Sequence, residues 1–163
     1  GPRFRDEAVE RIYELTNGHP YLVSLIGHMV TKRFLKRLAD KEDPNPLFNL
    51  DDLQVALDTS ELRLHLGRYG QEVLRYLNEG IGRTFTIAIR TVLWCIAQSP
   101  QGVDETSLAN VLVPSVSGSA DELQRLLAQI AEYDIIEENI DNGSSRWRIE
   151  VEMFRVWMAS RPL

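Results

Sequence analysis

The sequence predicts a mainly α-helical chain with a small β-hairpin near its C-terminus. Apolar residues recur at helical spacing over most of the chain. Two short β-prone runs flank Asn142-Gly143, a dipeptide typical of hairpin turns. The 163 residues are 44% apolar and 26% charged, as in folded proteins. This length allows two small domains, and we expect a helical domain over residues 1–75 and a second domain over residues 76–163.

The first domain is predicted to begin with two helices. The first covers Asp6 to Thr16 and ends at Asn17-Gly18, because glycine adopts the left-handed C-cap conformation at little cost. The second begins at Pro20, whose missing N–H costs nothing at the first helical position, and runs to about Lys41. One apolar face is expected along it, made of Leu22, Leu25, Ile26, Met29, Phe34, Leu35 and Leu38.

A break and two further helices are predicted to follow. Residues 41–46 contain two prolines and are expected to interrupt the helical pattern. Asp51 is predicted to cap a short helix and Ser60 a longer one, because both residue types accept hydrogen bonds from first-turn amides. Gly67 and Gly70 are potential interruptions of the longer helix.

The second domain is expected after a connector at residues 78–82, with its boundary somewhere in 70–83. A helix is predicted over residues 85–98, a short one capped by Asp104, and a third capped by Ser119. Strands at 135–140 and 147–149 are predicted around a turn at 141–145, and a final helix at 151–160. Three helices, a hairpin and a helix form the order of a winged-helix domain, in which the hairpin covers the open side of a three-helix core.

No catalytic site is predicted. The chain has no P-loop motif and no H-E-x-x-H or C-x-x-C pattern. His19, His28 and His65 share no ligand spacing, so no metal is expected. Cys95 lies in an apolar run and is interpreted as a buried, inert thiol. We therefore expect a chain that is not an enzyme and that binds no cofactor by itself.

Two segments resemble parts of one protein class. Residues 15–23 read LTNGHPYLV, and residues 148–158 read RIEVEMFRVWM. The first resembles the lid-helix segment of STAND-class ATPases (AAA+-related signal-transduction ATPases with numerous domains), in which a Gly-x-Pro turn precedes an apolar helix. The second resembles the end of the winged helix in the same proteins. Residues 42–82 match that class less clearly.

The resemblance implies a role for the corner between the first two helices. In the class, the Gly-x-Pro turn lies against the adenine of a nucleotide that a preceding P-loop domain binds. Carried over, that role falls to Gly18, His19 and Pro20, with ATP or ADP bound only in a longer parent protein. A plain helix–turn–helix corner, with Pro20 as a helix starter, is the alternative.

A basic face is predicted on the second helix. Lys32, Arg33, Lys36 and Arg37 form i,i+4 pairs of like charge, with Lys41 one turn further on. A solvated helix face is the plainer interpretation. A contact with phosphate, nucleic acid or an acidic partner is the alternative.

Candidate nucleic-acid contacts in the second domain are few. Arg125 lies on its third helix, and Arg146 and Arg148 lie on the hairpin, where a winged helix can approach DNA. The net charge of −6 falls mainly on this half of the chain. Because DNA binding depends on neutralising phosphates, the acidic half disfavours it. Trp147 and Trp157 are interpreted as core or interface anchors.

The leading hypothesis is a non-catalytic regulatory module, a lid followed by a winged helix, of a STAND-like signalling ATPase. Its partner would be another protein or neighbouring domains of the same chain. The alternatives are a winged-helix DNA-binding transcription regulator and a protein-interaction or dimerisation module. One cysteine and the lack of a long apolar run favour a cytoplasmic protein that does not enter a membrane.

Overall fold

The computed structural model describes residues 3–40, 47–112, 119–141 and 144–161. The described part is mainly helical, with one small antiparallel sheet and one short parallel strand pair. The chain divides into two compact units, Gly1–Gly67 and Arg68–Leu163. This division falls earlier than the expected boundary at residue 75, inside a helix. The predicted break at residues 41–46 lies outside the described residues.

The first unit is built from helices that bury one shared apolar core. Its elements are β1 (Arg3–Phe4), α1 (Asp6–Thr16), α2 (Pro20–Ala39), β2 (Leu47–Phe48), α3 (Leu50–Leu57) and the start of α4 (Ser60–Ile81). β1 and β2 pair in parallel, with Arg3 opposite Leu47 and Phe4 opposite Phe48. The buried apolar side chains here include Ala8, Leu22, Ile26, Val30, Phe48 and Leu53. The two-residue strands were not predicted, since their pairing joins segments far apart in the chain.

The predicted apolar face of α2 is confirmed in its first half and wrong in its second. Leu22, Ile26 and Met29 are buried as expected. Leu35 and Leu38, which were expected to continue that face, are 57% and 47% exposed. The first three turns of α2 therefore face the core, while the last turns leave it.

The second unit consists of helices and a three-stranded sheet. Its elements are the rest of α4, a 3₁₀ turn (Arg83–Phe85), α5 (Thr86–Ala97), β3 (Val103–Asp104), α6 (Glu105–Leu112), α7 (Ala120–Ala131), β4 (Ile136–Asp141), β5 (Ser144–Ile149) and α8 (Glu152–Ala159). The strand order is β3–β5–β4, and both pairings are antiparallel. The predicted hairpin is confirmed by the β4–β5 register, which runs from Ile136 opposite Ile149 to Asp141 opposite Ser144. The turn residues 142 and 143 lie outside the described residues.

The core of the second unit is apolar and includes both predicted tryptophan anchors. Trp147 on β5 and Trp157 on α8 are buried, as the sequence predicts. Phe154 stacks on Trp157 with ring centroids 5.6 Å apart. Further large buried side chains come from α4 to α8 and from the sheet, and include Leu77, Ile89, Leu93, Ile96, Leu108, Leu112, Leu123, Leu127, Ile130, Ile136 and Met158.

The connector expected at residues 78–82 is wrong, because residues 78–81 belong to helix α4. The helix continues to Ile81, and only Gly82, with φ of 126°, leaves it. Its glycines are packing positions: a Cβ at Gly70 would overlap the ring of Trp157, and a Cβ at Gly80 would overlap the hydroxyl of Tyr133. Glycine therefore allows aromatic rings to lie directly on this helix, where the sequence suggested interruptions.

Helix caps are confirmed in the second unit and shifted in the first. The Oδ1 atom of Asp104 accepts from the Ser107 N–H at 2.8 Å, and the Oγ of Ser119 accepts from the Glu122 N–H at 3.2 Å. In the first unit the predicted caps Asp51 and Ser60 are wrong. The caps are instead Asn49, which starts α3 in a capping box, and Thr59, whose Oγ1 accepts from the Leu62 N–H. Among the described residues, no helix is both long and apolar enough to cross a membrane.

Candidate binding surfaces

The corner between α1 and α2 has the backbone that the sequence predicts. Asn17 has φ of 47° and Gly18 has φ of 69°, so both residues adopt the left-handed conformation. Pro20 occupies the first turn of α2. The corner residues Gly18 and Pro20 are exposed, and His19 is partly exposed.

The amides of this corner are used within the corner itself. The Gly18 N–H donates to the Oγ1 of Thr16 at 3.2 Å, and the His19 N–H donates to the Thr16 carbonyl at 2.9 Å. Thr16 is fully buried, and its hydroxyl donates to the Ile12 carbonyl at 2.7 Å. The N–H groups of Gly18 and His19 are therefore bonded to Thr16 within the corner. An exposed apolar surface remains beside the turn, where Tyr13 is 63% exposed.

Two of the predicted cations on α2 are paired with carboxylates of the same unit. The Lys32 Nζ lies 2.5 Å from Glu61, and this hydrogen bond lowers the pKa of the Glu61 carboxyl. The Arg37 Nη2 lies 2.7 Å from Asp52, and both side chains are largely buried. Arg37 also lies over the Phe48 ring, 5.9 Å from its centroid. These ion pairs neutralise two of the four cations of α2 that the sequence offered as contacts for a partner.

The other two cations of α2 line a small groove. The groove has a volume of about 430 Å³ and is bounded by α2, the end of α3 and the start of α4. Arg33 and Lys36 form no hydrogen bond or ion pair with the described residues, and the Nε of Arg33 is buried. The lining residues are Met29, Lys32, Arg33, Lys36, Val55, Ala56, Thr59 and Glu61.

Each of the three candidate nucleic-acid contacts of the second unit lies beside a carboxylate. Arg148 pairs with Glu137, its neighbour across the β4–β5 ladder. Arg146 lies opposite Asp104 of β3, and it shares the exposed face of β5 with Arg148, two residues along the strand. Arg125 is exposed on α7, whose first turn carries Asp121 and Glu122. These carboxylates offset the positive charge at each of the three positions.

A larger cleft, which the sequence did not predict, lies in the second unit. Its volume is about 610 Å³, and the described residues that line it include four arginines and a single carboxylate residue. The lining residues come from the end of α4, the 3₁₀ turn, the start of α5 and the segment after α8: Gln71, Leu74, Arg75, Asn78, Glu79, Arg83, Thr86, Arg90 and Arg161. We call this the arginine cleft.

Two arginines of the arginine cleft are held in place by their neighbours. Arg75 pairs with Glu72 at 2.7 Å and with Glu79 at 2.8 Å. Arg161 lies over the Trp157 ring, 4.7 Å from its centroid, and with the Gln71 amide turned so that its oxygen faces the guanidinium, Arg161 donates to that oxygen at 3.0 Å. Among the described residues, Arg161 therefore contacts neutral groups and no carboxylate.

The other two arginines of the cleft are uncompensated within the described part of the chain. Arg83 and Arg90 are exposed and form no side-chain hydrogen bond or ion pair there. The Oδ1 of Asn78 is buried and has no hydrogen-bond partner among the same residues. Sequence reasoning missed this site because it ended α4 before Asn78. Extending the helix would have placed Arg75, Asn78 and Glu79 on one face at i, i+3 and i+4 spacing.

Cys95 is less buried than the sequence predicts. The residue is half-buried, and burial raises the pKa of its thiol, which favours the protonated form. In the same part of the chain, no group of three or more His, Cys, Asp or Glu side chains is arranged to hold a metal ion.

Comparisons with known proteins give no relative for this chain. No protein-family model, no curated protein and no solved structure matches it.

Proposed function

We propose that this chain is a non-catalytic regulatory module, a lid-like helical unit followed by a winged-helix domain, of a STAND-like signalling ATPase. It would couple the nucleotide state of that ATPase to the binding of a protein partner. The observation that carries this proposal is the element order of the second unit, α5–β3–α6–α7–β4–β5–α8, with β5 at the centre of its sheet. In a winged helix, the same order lets a hairpin and one extra strand cover a three-helix core.

The corner between α1 and α2 supports the lid part of the proposal. Asn17 and Gly18 form a tight left-handed turn, and Pro20 begins the next helix. Because the amides of Gly18 and His19 are bonded inside the corner, they would not bind a phosphate. Contact with a nucleotide would instead be apolar, through the exposed surface of Pro20 and Tyr13.

The charges of the second unit favour a protein partner over DNA. The first turn of α7 carries Asp121 and Glu122, which would repel phosphates in a major groove. Arg148 is already paired with Glu137 on the hairpin. Salt-dependent binding to duplex DNA, measured by fluorescence anisotropy, would favour the transcription-regulator alternative instead.

The proposal is tested in the complete reading frame from which the chain comes. We expect that frame to encode a P-loop domain, and we expect amide hydrogen exchange at the α1–α2 corner to differ between the ADP-bound and ATP-bound protein. Gly18→Ala should speed ADP release, because φ of 69° strains any residue with a Cβ.

Gly27→Ala is the matched control, since it changes another glycine of the first unit, on α2, where an added Cβ would meet no side chain or other packed segment within 4 Å. It should leave ADP release unchanged. The proposal would be overturned by a reading frame without a P-loop domain. It would also be overturned by amide exchange rates at the corner that are the same with ADP and with ATP bound.

A further inference from the structure

We propose that the arginine cleft binds a small organic phosphate, a molecule that carries both a phosphate group and a hydroxyl or amino group. The inference does not depend on the proposed function, because it rests on the contents of the second unit alone. It concerns a site that neither the corner of the first unit nor the hairpin arginines includes.

The cleft concentrates positive charge in a chain of net charge −6. Arg83 and Arg90 have no partner among the described residues, and Arg161 is held only by a neutral amide and an aromatic ring. The four arginines that line the cleft outnumber the two carboxylates, Glu72 and Glu79, that pair with Arg75, so the cleft attracts a multivalent anion. Arginine also offers paired N–H donors whose geometry matches the oxygens of a phosphate.

The site is partly preorganised to receive an anion. Arg161 is fixed between Trp157 and Gln71, so little side-chain entropy is lost when it binds. The Thr86 hydroxyl donates to the Arg83 carbonyl at 2.8 Å, which ties the backbone of Arg83 to the first turn of α5. The N-terminal end of that helix carries a partial positive charge that adds to the attraction.

The ligand is inferred to be organic from an unpaired polar atom of Asn78, one of the residues that line the cleft. The Oδ1 of Asn78 is a buried acceptor without a donor among the described residues, and a buried acceptor left unpaired costs free energy. Inorganic phosphate at neutral pH offers little beyond a P–OH group as a donor, whereas a sugar or a base adds several hydroxyl or amino donors. The cleft volume of about 610 Å³ also lies within the range of small-molecule sites.

Calorimetric titration of the chain at low ionic strength tests the proposal with four probes. These are inorganic phosphate, pyrophosphate, ribose 5-phosphate and ADP. We expect saturable binding of at least one organic phosphate, with an affinity that falls as salt is added. Tighter binding of ADP would identify a nucleoside diphosphate, and tighter binding of ribose 5-phosphate would identify a sugar phosphate. Tryptophan fluorescence should change on binding, because Arg161 lies on the ring of Trp157.

Variants locate the site. Arg83→Gln and Arg90→Gln should each weaken binding by about tenfold, since each removes charge-assisted hydrogen bonds. Arg125→Gln is the matched control: it removes another exposed arginine of the same unit, one that does not line the cleft, and it should bind like the parent chain. Thermal melts of each variant report whether the fold is retained.

Three results would overturn the proposal. One is the absence of binding by every probe at low ionic strength. Another is equal weakening by Arg125→Gln and Arg83→Gln, which would indicate general charge attraction. The last is binding of pyrophosphate as tight as that of ADP and ribose 5-phosphate, together with no effect of Asn78→Ala, because the donor argument would then fail.

Discussion

The two units each contain a cavity lined by cations, and carboxylates of the described residues balance only some of them. Within that part of the chain, Arg33 and Lys36 stay unpaired in the groove of the first unit, and Arg83 and Arg90 stay unpaired in the arginine cleft. In the first unit, Lys32 pairs with Glu61 across the groove, and Arg37 pairs with Asp52 beside it. In the arginine cleft, only Arg75 is matched by carboxylates of the described residues. The number of positive side chains is therefore a poor guide to a binding surface. The charge that remains after internal pairing is the better guide, and it cannot be counted before the fold is known.

The units also differ in how their helices use glycine. A methyl group placed on Gly27 of α2 would meet no side chain or other packed segment within 4 Å, whereas Gly70 of α4 lies directly against Trp157. The first unit can therefore tolerate a side chain at this position of its long helix, while the second cannot at Gly70. Substitutions at these two glycines test this contrast and have the largest expected effect on stability.

Gly70→Ala should destabilise the second unit by about 3 kcal/mol, because the added methyl group must displace a buried indole ring. Gly27→Ala should have the opposite sign and stabilise by about 1 kcal/mol, since alanine is the better helix former. Urea denaturation followed by circular dichroism measures both changes. Equal effects of the two substitutions would show that the contrast in packing is wrong.

Removing the cation of the Arg37–Asp52 pair or of the Lys32–Glu61 pair should give unequal losses of stability. Arg37→Ala should cost about 2 kcal/mol, because Asp52 is only 16% exposed and Arg37 also packs on Phe48. Lys32→Ala should cost less than about 1 kcal/mol, since its pair with Glu61 is exposed. The denaturation midpoints compare the two. A loss at Lys32 as large as that at Arg37 would show that the exposed Lys32–Glu61 pair stabilises the fold as much as the Arg37–Asp52 pair does.

The second unit shows which parts of the fold can be predicted from the sequence. The order of the helices and the hairpin in the second unit was predicted because its signals are local: Asp104 and Ser119 begin helices, and the strands flank Asn142-Gly143. The strand β3 was not predicted, and β5 begins at Ser144, inside the turn expected at residues 141–145. The end of α4 was predicted wrongly because Gly80 has low helix propensity. Its cost is offset by Tyr133, which lies 53 residues away in sequence and stacks edge-on with Tyr76.

The candidate sites were less predictable than the fold. Gly18, His19 and Pro20 do form the corner between α1 and α2. The Gly18 N–H, however, donates to the hydroxyl of Thr16 and the His19 N–H to the carbonyl of Thr16, and the sequence pattern does not indicate these bonds. The arginine cleft brings together residues from four separate segments, among them Arg83, Arg90 and Arg161. No local pattern marks such a set, because only the packing of the helices places its members around one space.

The helix caps give a smaller test of the two units. Asn49→Ala should cost about 1.5 kcal/mol, because Asn49 and Asp52 form a reciprocal capping box at the start of α3. Ser119→Ala should cost about 0.5 kcal/mol, because Ser119 caps α7 with one hydrogen bond at an exposed site. Thermal unfolding measures the difference. A larger loss at Ser119 would contradict it and would make α7 the more cap-dependent helix.

The smallest expected effect concerns two carboxyl groups whose pKa values are lowered for different reasons. In the first unit, the pKa of Glu61 is lowered chiefly by the hydrogen bond from Lys32. In the second, the pKa of Asp104 is lowered chiefly by the hydroxyl of Ser107, with its backbone N–H as the next cause. Both depressions stabilise the folded state above the unfolded pKa of about 4, and that stability is lost as pH falls through the folded pKa.

Salt should separate the two carboxyl groups. High salt should move the pKa of Glu61 back toward its ordinary value, because its partner is an exposed cation. The pKa of Asp104 should change little, because its main partners are neutral donors. NMR titration of the side-chain carboxyl carbons measures both, with Lys32→Ala and Ser107→Ala as the matched variants. Equal sensitivity to salt would mean that Arg146, which lies opposite Asp104, contributes more to its pKa than Ser107 does.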